Sequence, residues 1–335
     1  MAALKHGVDA LGGDAAAWVG ASVTTVAQFD RAALSLVLRR ADEMRSVKKS
    51  DALRGRILAN VFYEPSTRTS CSFHAAMLRL GGDVISVAES TSSAAKGETL
   101  EDTVRCLACY SDAVVLRHPR AGAADEAAAA LRGADGARKA VLNAGDGVGE
   151  HPTQALLDLY TLVREFGGAD EDPLAALKGK TIAVVGDLKH GRTVHSLAKL
   201  LAAFDVTLLY VAPKGLELPE NVRAVVSNGV AEQADALSLA DAVVVADALY
   251  VTRIQKERFA DIADYEALKD SYVVDAALMA RAKPTCIILH PLPRVGEIST
   301  DVDADPRAAY FRQMENGMFV RMAILSLVMG AEGFC

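Results

Sequence analysis

The sequence has no hydrophobic run long enough to span a bilayer. Its longest apolar stretches are short and interrupted, as at 322–330 (MAILSLVMG), whereas a spanning helix needs about 20 consecutive apolar residues. Nor is there a basic excess. Lys and Arg number 36 against 43 Asp and Glu, a net charge of −7, which is the wrong sign for a nucleic-acid surface. Cysteine is scarce: Cys71, Cys106, Cys109, Cys286 and Cys335 are too few, and odd in number, for a disulfide framework in a chain of this size. The first twenty residues carry Asp9 and Asp14 and little positive charge, unlike a secretory or transit leader. The expectation is a cytoplasmic protein that meets neither membrane nor nucleic acid.

Several catalytic signatures are also missing. There is no Ser–His–Asp order, no zinc-binding histidine pair and no acidic cluster suited to magnesium. The Gly-x4-Gly-Lys phosphate loop is absent. The strand-to-helix turn at 184–197 (VVGDLKHGRTVHSL) lacks the Gly-x-Gly-x-x-Gly fingerprint, which argues against a dehydrogenase. Cys106 and Cys109 form one Cys-x2-Cys pair on a helical face, with no second pair, so a metal site there is disfavoured. Neither a metal nor a cofactor is expected.

What is present is 51% hydrophobic over 335 residues, enough for a large core and, on length, for two domains. Short β-rich runs alternate with helix-period segments, the pattern of α/β domains in which a parallel sheet is flanked by helices. Expected strands are 57–63, 83–87, 113–117 and 140–143, then 181–186, 206–211, 242–246 and 286–290. Their continuous apolar character suits burial on both faces. Helical faces repeat in Phe73, Ala76, Met77 and Leu80, in Leu156, Leu159, Tyr160 and Val163, and in Val194, Leu197, Ala198 and Leu201. The alanine-rich stretch 121–140 reads as an exposed helix and a turn. A polar segment rich in Gly and Asp, 167–180, precedes a fresh βα series. The tail 304–330 is helix-rich without a strand partner and is expected to return to the first domain.

Chemistry concentrates where strands end. FYEPSTRTSCSF (62–73) closes a strand and opens a helix through Ser66, Thr67, Arg68 and Thr69. A helix start has backbone N–H groups without internal partners and favours an anion. Ser66 can cap it, Arg68 adds a bidentate fork, and Thr67 and Thr69 add hydroxyls. A capped helix with a surface arginine is the plain alternative. In NAGDGVGEHPTQALLDLY (143–160) a glycine-rich turn leads to His151 and Gln154, with Pro152 suited to the first helical position. Imidazole and amide side by side can hold a carbonyl oxygen and an NH2 group, or merely cap the helix.

Arg117 ends the strand in VVLRHPRAG (114–122), where open α/β sheets bind ligands, unless it only pairs with a nearby carboxylate. Arg192 opens the helix after 184–186, and Arg253, Gln255, Lys256 and Arg258 crowd into 249–259. ILHPLPRVGEI (288–298) ends a strand in His290, Pro291, Leu292 and Pro293, a stiff loop of carbonyl acceptors that admits a cis bond at Leu292–Pro293. Ser92 and Lys96 sit in a polar loop. Arginine, hydroxyl and amide groups at strand ends bind and polarise anionic substrates; they supply no covalent nucleophile.

These segments, with DADPRAAYFRQ (303–313), resemble the aspartate carbamoyltransferases in content and order, roughly over residues 22–330. STRT and HPTQ mark carbamoyltransferases in general. TRIQKERF and HPLP resemble the aspartate branch, since the ornithine branch usually has Cys in HCLP. The resemblance implies the aspartate/ornithine carbamoyltransferase fold in two domains: 1–160, completed by the C-terminal helix 311–335, for carbamoyl phosphate, and 161–310 for aspartate. It implies transfer of the carbamoyl group to the α-amine of L-aspartate in pyrimidine biosynthesis.

Site roles follow by the same resemblance. Ser66, Thr67, Arg68 and Thr69 would hold the phosphate, and Thr69, Arg117 and His151 would polarise the carbonyl. Gln154, with the carbonyls of Pro291 and Leu292, would orient the NH2 group. Arg192, Arg253 and Gln255 would grip the carboxylates of aspartate. In a homotrimer with shared sites, Ser92 and Lys96 would reach into the neighbouring subunit, with Lys96 serving both substrates.

One position departs from the commonest pattern: Ser70 follows STRT where many bacterial members carry Arg. The eukaryotic multienzyme pyrimidine polypeptides also carry serine there, which points to a chain that is, or was, part of a longer protein. The first 20 residues match nothing in the family pattern. Two other readings stand beside this one: an ornithine carbamoyltransferase, and a catalytically dead relative acting as an oligomerisation scaffold. The presence of Arg68 and Lys96 opposes the second.

Overall fold

A computed structural model of the chain describes residues 9–88, 96–132, 138–168, 172–229, 231–236, 238–254, 272–331 and 333–334. It divides into two compact units, Met1–Tyr160 with Glu315–Cys335, and Thr161–Met314. Among the described residues no helix is long and apolar enough to cross a membrane.

The first α-helix of the first unit is α1 (Arg31–Met44), capped by the Asp30 carboxylate, which accepts from the Ala33 N–H at 2.7 Å. There follow β1 (Ile57–Phe62), α2 (Thr67–Arg79), β2 (Asp83–Ala88), α3 (Leu100–Tyr110), β3 (Ala113–His118), α4 (Ala123–Ala130) and β4 (Ala140–Asp146). The strands pair in parallel in the order β2-β1-β3-β4. Leu58, Ala59 and Val61 of β1 and Val114 and Val115 of β3 are fully buried, with neighbours in sequence on opposite faces, so both sheet faces need helical cover. α2 seats Phe73, Ala76 and Met77 in that core.

The alanine-rich helix is not exposed as expected. Ala123, Ala124, Ala127 and Ala128 of α4 are buried, and Ala127 and Ala128 join Val104, Val114 and Val141 in one apolar cluster. Four small side chains on one face give a helix a packing stripe that looks like bland composition in sequence. Residues 9–20 also belong to this unit: Trp18 is buried against Phe29, ring centroids 5.9 Å apart, and the Gly20 N–H donates to the Val328 carbonyl at 2.9 Å.

α5 (Pro152–Glu165) leads the chain into the second unit, which contains β5 (Lys180–Val185), α6 (Arg192–Leu201), β6 (Val206–Val211), α7 (Glu220–Ser227), β7 (Glu232–Asp235), α8 (Leu239–Val245), β8 (Ala248–Val251), α9 (Ala276–Met279) and β9 (Ile287–Leu289). Its parallel sheet runs β7-β6-β5-β8-β9. α10 (Tyr310–Val328) starts in the second unit and ends in the first.

The valine run expected as a strand at 242–246 is helical. Ser238 caps α8, its Oγ accepting the Asp241 N–H at 3.2 Å. Leu239, Ala242, Val243 and Ala246 are buried whereas Val244 and Val245 are half exposed, a helical period hidden inside an apolar run. The strand of this segment is β8, directly after it. β7 is not among the expected strands because its residues are polar. It is an edge strand held by side chains: Tyr210 Oη donates to Gln233 Oε1 at 2.8 Å, and Arg223 pairs with Asp235 at 2.8 Å.

The same aspartate staple recurs in both units. Asp112, just before β3, donates its N–H to the Ile57 carbonyl and accepts the Ile57 N–H on Oδ2, both at 2.8 Å, with Arg56 Nη1 on Oδ1 at 2.8 Å. Asp247, just before β8, does likewise with Thr181 at 2.8 Å and takes Lys283 Nζ on Oδ1 at 2.8 Å. Burial pushes each carboxyl's pKa up, but the backbone N–H and the cation outweigh it, and both lie below the ordinary carboxylate value. We expect Asp112→Ala and Asp247→Ala each to cost about 2 kcal/mol in denaturant melts. Because the folded-state pKa is depressed, the charged form stabilises above the carboxylate range. The advantage of Asp over Asn at either position should therefore shrink as pH falls through that range.

Candidate active site

In each unit the first strand lies inside the sheet, and the C-terminal ends of parallel neighbours share one edge. That edge is where open α/β sheets carry their ligands. In the first unit, β1, β3 and β4 end there together. β1 gives way to α2 with Ser66 at the N-cap, in extended backbone at φ −158. The Ser66 hydroxyl makes no capping hydrogen bond, contrary to the expected cap, and no acidic residue lies in the first turn. The helix start thus keeps N–H donors and its positive dipole end for another acceptor. Thr67 and Arg68 are exposed and Thr69 is buried. Although Arg68 reaches solvent, the desolvation of its guanidinium by neighbouring atoms lowers its pKa from the ordinary arginine value. Ser70 is tied inward: its Oγ accepts from Asn60 Nδ2 of β1 at 3.0 Å.

Arg117 lies beside Phe62 in the β1–β3 register, and the β3–β4 register shifts between Leu116 and His118. Such bulges re-aim a side chain. Arg117 donates from Nη1 to the Ala144 carbonyl at 3.2 Å and pairs through Nε with Glu64 Oε2 at 3.3 Å. The carboxylate partner weighed as the plain alternative is therefore real, and it sits in the same loop as Ser66.

β4 ends in the turn that delivers His151 and Gln154, both buried at the start of α5, with Pro152 at its first position. Asp146 organises this turn. Its Oδ1 accepts the Glu150 N–H at 2.7 Å and Asn143 Nδ2 at 3.2 Å, and its Oδ2 accepts the Gly122 N–H at 2.6 Å. Burial, with the nearby Glu150 charge, raises the Asp146 pKa against these donors. Gly147 has φ +56, and a Cβ there would stand 2.1 Å from the Pro119 carbonyl oxygen. Lys96 is exposed ahead of α3; Ser92 lies outside the described residues.

The second unit repeats the arrangement with β5, β8 and β9. β5 ends at Gly186, φ +113, where a Cβ would meet the Thr252 carbonyl oxygen at 2.2 Å. Arg192 is the first residue of α6, and Arg253 follows β8. Gln255 lies outside the described residues, as do Lys256 and Arg258. After β9 the Leu292–Pro293 bond is cis, as anticipated, and Leu292 has φ 50, a left-handed conformation that costs an L residue about 1–2 kcal/mol.

A hydrogen-bond chain holds that loop. The Leu292 N–H donates to His290 Nδ1 at 2.7 Å, and His290 Nε2 meets Glu297 Oε1 at 2.7 Å. Since Nδ1 accepts, the ring proton sits on Nε2 and is donated to the carboxylate. Gln313 Oε1 takes the His290 N–H at 2.8 Å. Burial pushes the Glu297 pKa up, but the His290 donor and the Gly296 N–H overcome it and hold the pKa near 2. Sequence reading missed Asn60, Asp146 and Glu297. The last two sit inside segments already singled out; nothing in a lone sequence marks Asn60.

The fold is that of an α/β protein whose two parallel sheets carry arginine and hydroxyl groups at their strand ends. Residues 22–164 match the aspartate/ornithine carbamoyltransferase carbamoyl-P binding domain, and residues 178–328 match the Asp/Orn binding domain of the same family. The chain belongs to the aspartate/ornithine carbamoyltransferase family. It is 50% identical to the multifunctional protein CAD of Squalus acanthias over 93% of this chain, which spans 14% of that relative's length. It is 47% identical to the aspartate carbamoyltransferase catalytic subunit of Archaeoglobus fulgidus, over 91% of this chain and 98% of that one. It is also similar to a crystal structure of aspartate transcarbamoylase from Trypanosoma cruzi in complex with carbamoyl phosphate and aspartate, with TM-score 0.82, 44% identity, and 94% and 97% of the two chains covered.

The Glu297 carboxylate stabilises the fold above its ordinary range and loses that contribution as pH falls from 4.5 toward 2. We expect the stability difference between the wild type and Glu297→Gln to narrow over that interval, read as melting temperature against pH.

Proposed function

We propose that this chain transfers the carbamoyl group of carbamoyl phosphate to the α-amine of L-aspartate, giving N-carbamoyl-L-aspartate and phosphate, a reaction of pyrimidine biosynthesis. What carries the reading is the likeness over 94% of the chain to the Trypanosoma cruzi enzyme solved with both substrates, joined to the uncapped Ser66–Thr69 start of α2. Ser66, Thr67, Arg68 and Thr69 take the phosphate of the donor. Thr69, Arg117 and His151 polarise its carbonyl oxygen, and Gln154 accepts from its NH2 group, with the carbonyls of Pro291 and Leu292 as further acceptors. Arg192, Arg253 and Gln255 take the carboxylates of aspartate.

The neutral amine attacks the carbamoyl carbon, an oxyanion forms on the former carbonyl oxygen, and phosphate leaves with the electrons of the broken C–O bond and takes the proton that the amine sheds. Positioning of the two anions and electrostatic stabilisation of the oxyanion supply the catalysis. We further propose a homotrimer in which Ser92 and Lys96 complete the site of a neighbouring subunit. A cytoplasmic setting fits the free Cys71, Cys106, Cys109 and Cys286, and membership of a larger polypeptide fits the multifunctional relatives.

A carbamoyl-transfer assay with aspartate and with ornithine, combined with mass in solution, tests this directly. Product with aspartate, none with ornithine and a three-chain mass are expected; transfer to ornithine would reverse the assignment. Arg117→Ala should lower kcat by roughly a hundred- to a thousandfold with an unchanged circular dichroism spectrum, and near-normal turnover would remove Arg117 from the oxyanion role. Mixing inactive Lys96→Ala and Arg117→Ala chains should restore part of the activity, because some mixed sites draw both intact residues from different chains.

A further inference from the structure

Gln154 and Asp158 lie one turn apart on α5. Gln154 Nε2 donates to Asp158 Oδ1 at 2.9 Å, and both side chains are buried, Asp158 completely. In this bond the carboxyl oxygen accepts, so the NH2 end of the amide faces Asp158. Nε2 points toward Asp158 and the carbonyl oxygen Oε1 points away, where among the described residues no side-chain donor meets it.

The charge of Asp158 acts on a cation from the other end of the chain. Arg321 of α10 is 3% exposed and lies over the Phe73 ring at 5.0 Å. It donates from Nη1 to Ser72 Oγ at 2.6 Å and from Nη2 to Thr153 Oγ1 at 3.5 Å. Burial lowers its pKa to about 9, and the Asp158 charge opposes that loss. Close approach is possible because residue 317 is glycine: a Cβ there would stand 2.9 Å from Leu157 Cδ2 and 3.2 Å from Arg321 Nη1.

We propose that Asp158, backed by Arg321, is a positioning residue that holds the Gln154 amide with its oxygen toward the carbamoyl donor, so that the site prefers an NH2 group to a methyl group of similar size. The inference rests on the assignment of Gln154 as the acceptor for that NH2 group. Without the carboxylate the amide can turn and offer its own NH2, which an NH2 donor cannot use and which a methyl group does not notice.

The test is the ratio of Kd values for carbamoyl phosphate and acetyl phosphate, measured by calorimetry, with inorganic phosphate as the control for the anion pocket. The wild type should favour carbamoyl phosphate by roughly tenfold. Asp158→Leu should bring the ratio near one while phosphate still binds. If loss of the counter-charge to Arg321 prevents folding, Asp158→Leu with Arg321→Met removes both charges and should give the same ratio. An unchanged ratio in the Leu variants, alongside a collapsed one in Gln154→Leu, would overturn the role of Asp158 and leave that of Gln154 standing. A full preference in Gln154→Leu would overturn both. Equal weakening of all three ligands would make Asp158 merely structural and reject the proposal.

Discussion

Parallel pairing of an interior first strand with the strands beside it is the constraint on which each unit depends. β1 with β3, and β5 with β8, are locked in register by an aspartate that answers both backbone groups of one partner residue: Asp112 for Ile57, Asp247 for Thr181. Once that register is fixed, the C-terminal strand ends are also fixed relative to one another, and with them Arg117 beside the α2 start and Arg253 after β8. A slip of one residue would turn every side chain to the opposite face. The fork-bearing arginines need a stiff frame of this sort, because their value lies in geometry more than in charge.

Around that frame, the turns are held by polar hubs. Asp146 gathers the Gly122 and Glu150 N–H groups, and the His290–Glu297 pair keeps Leu292 in a conformation it would not choose alone. Such hubs are buried and largely satisfied, so they specify one loop shape. They also explain the glycines nearby: at Gly147 and Gly186 a carbonyl oxygen occupies the place of a Cβ.

Much of this is legible in sequence. The α/β alternation, the apolar strand interiors, Pro152 at a helix start and the run of anion-seeking groups after Phe62 all follow from local rules. Local rules fail where the decisive partner is distant or the local signal is ambiguous. Ala242, Val243, Val244 and Val245 read as a strand by composition, and only the Ser238 cap and the one-sided burial reveal a helix. The polar β7 exists because the chain brings Arg223 and Tyr210 beside it. The serine expected to cap α2 leaves that bond unmade. The aspartate staples and Arg321 are silent in sequence for the same reason, since residues 55 or more positions apart carry no mutual sign in a single chain.

The C-terminal helix carries a consequence in time. The first unit is discontinuous, closing only with Glu315–Cys335, so a ribosome releases Ser72 and Thr153 long before Arg321 emerges to meet them. Until then the Asp158 carboxylate lacks the Arg321 charge, and the Phe73 ring has no guanidinium above it. The unit whose synthesis begins first therefore cannot reach its final packing before the other unit has been made in full.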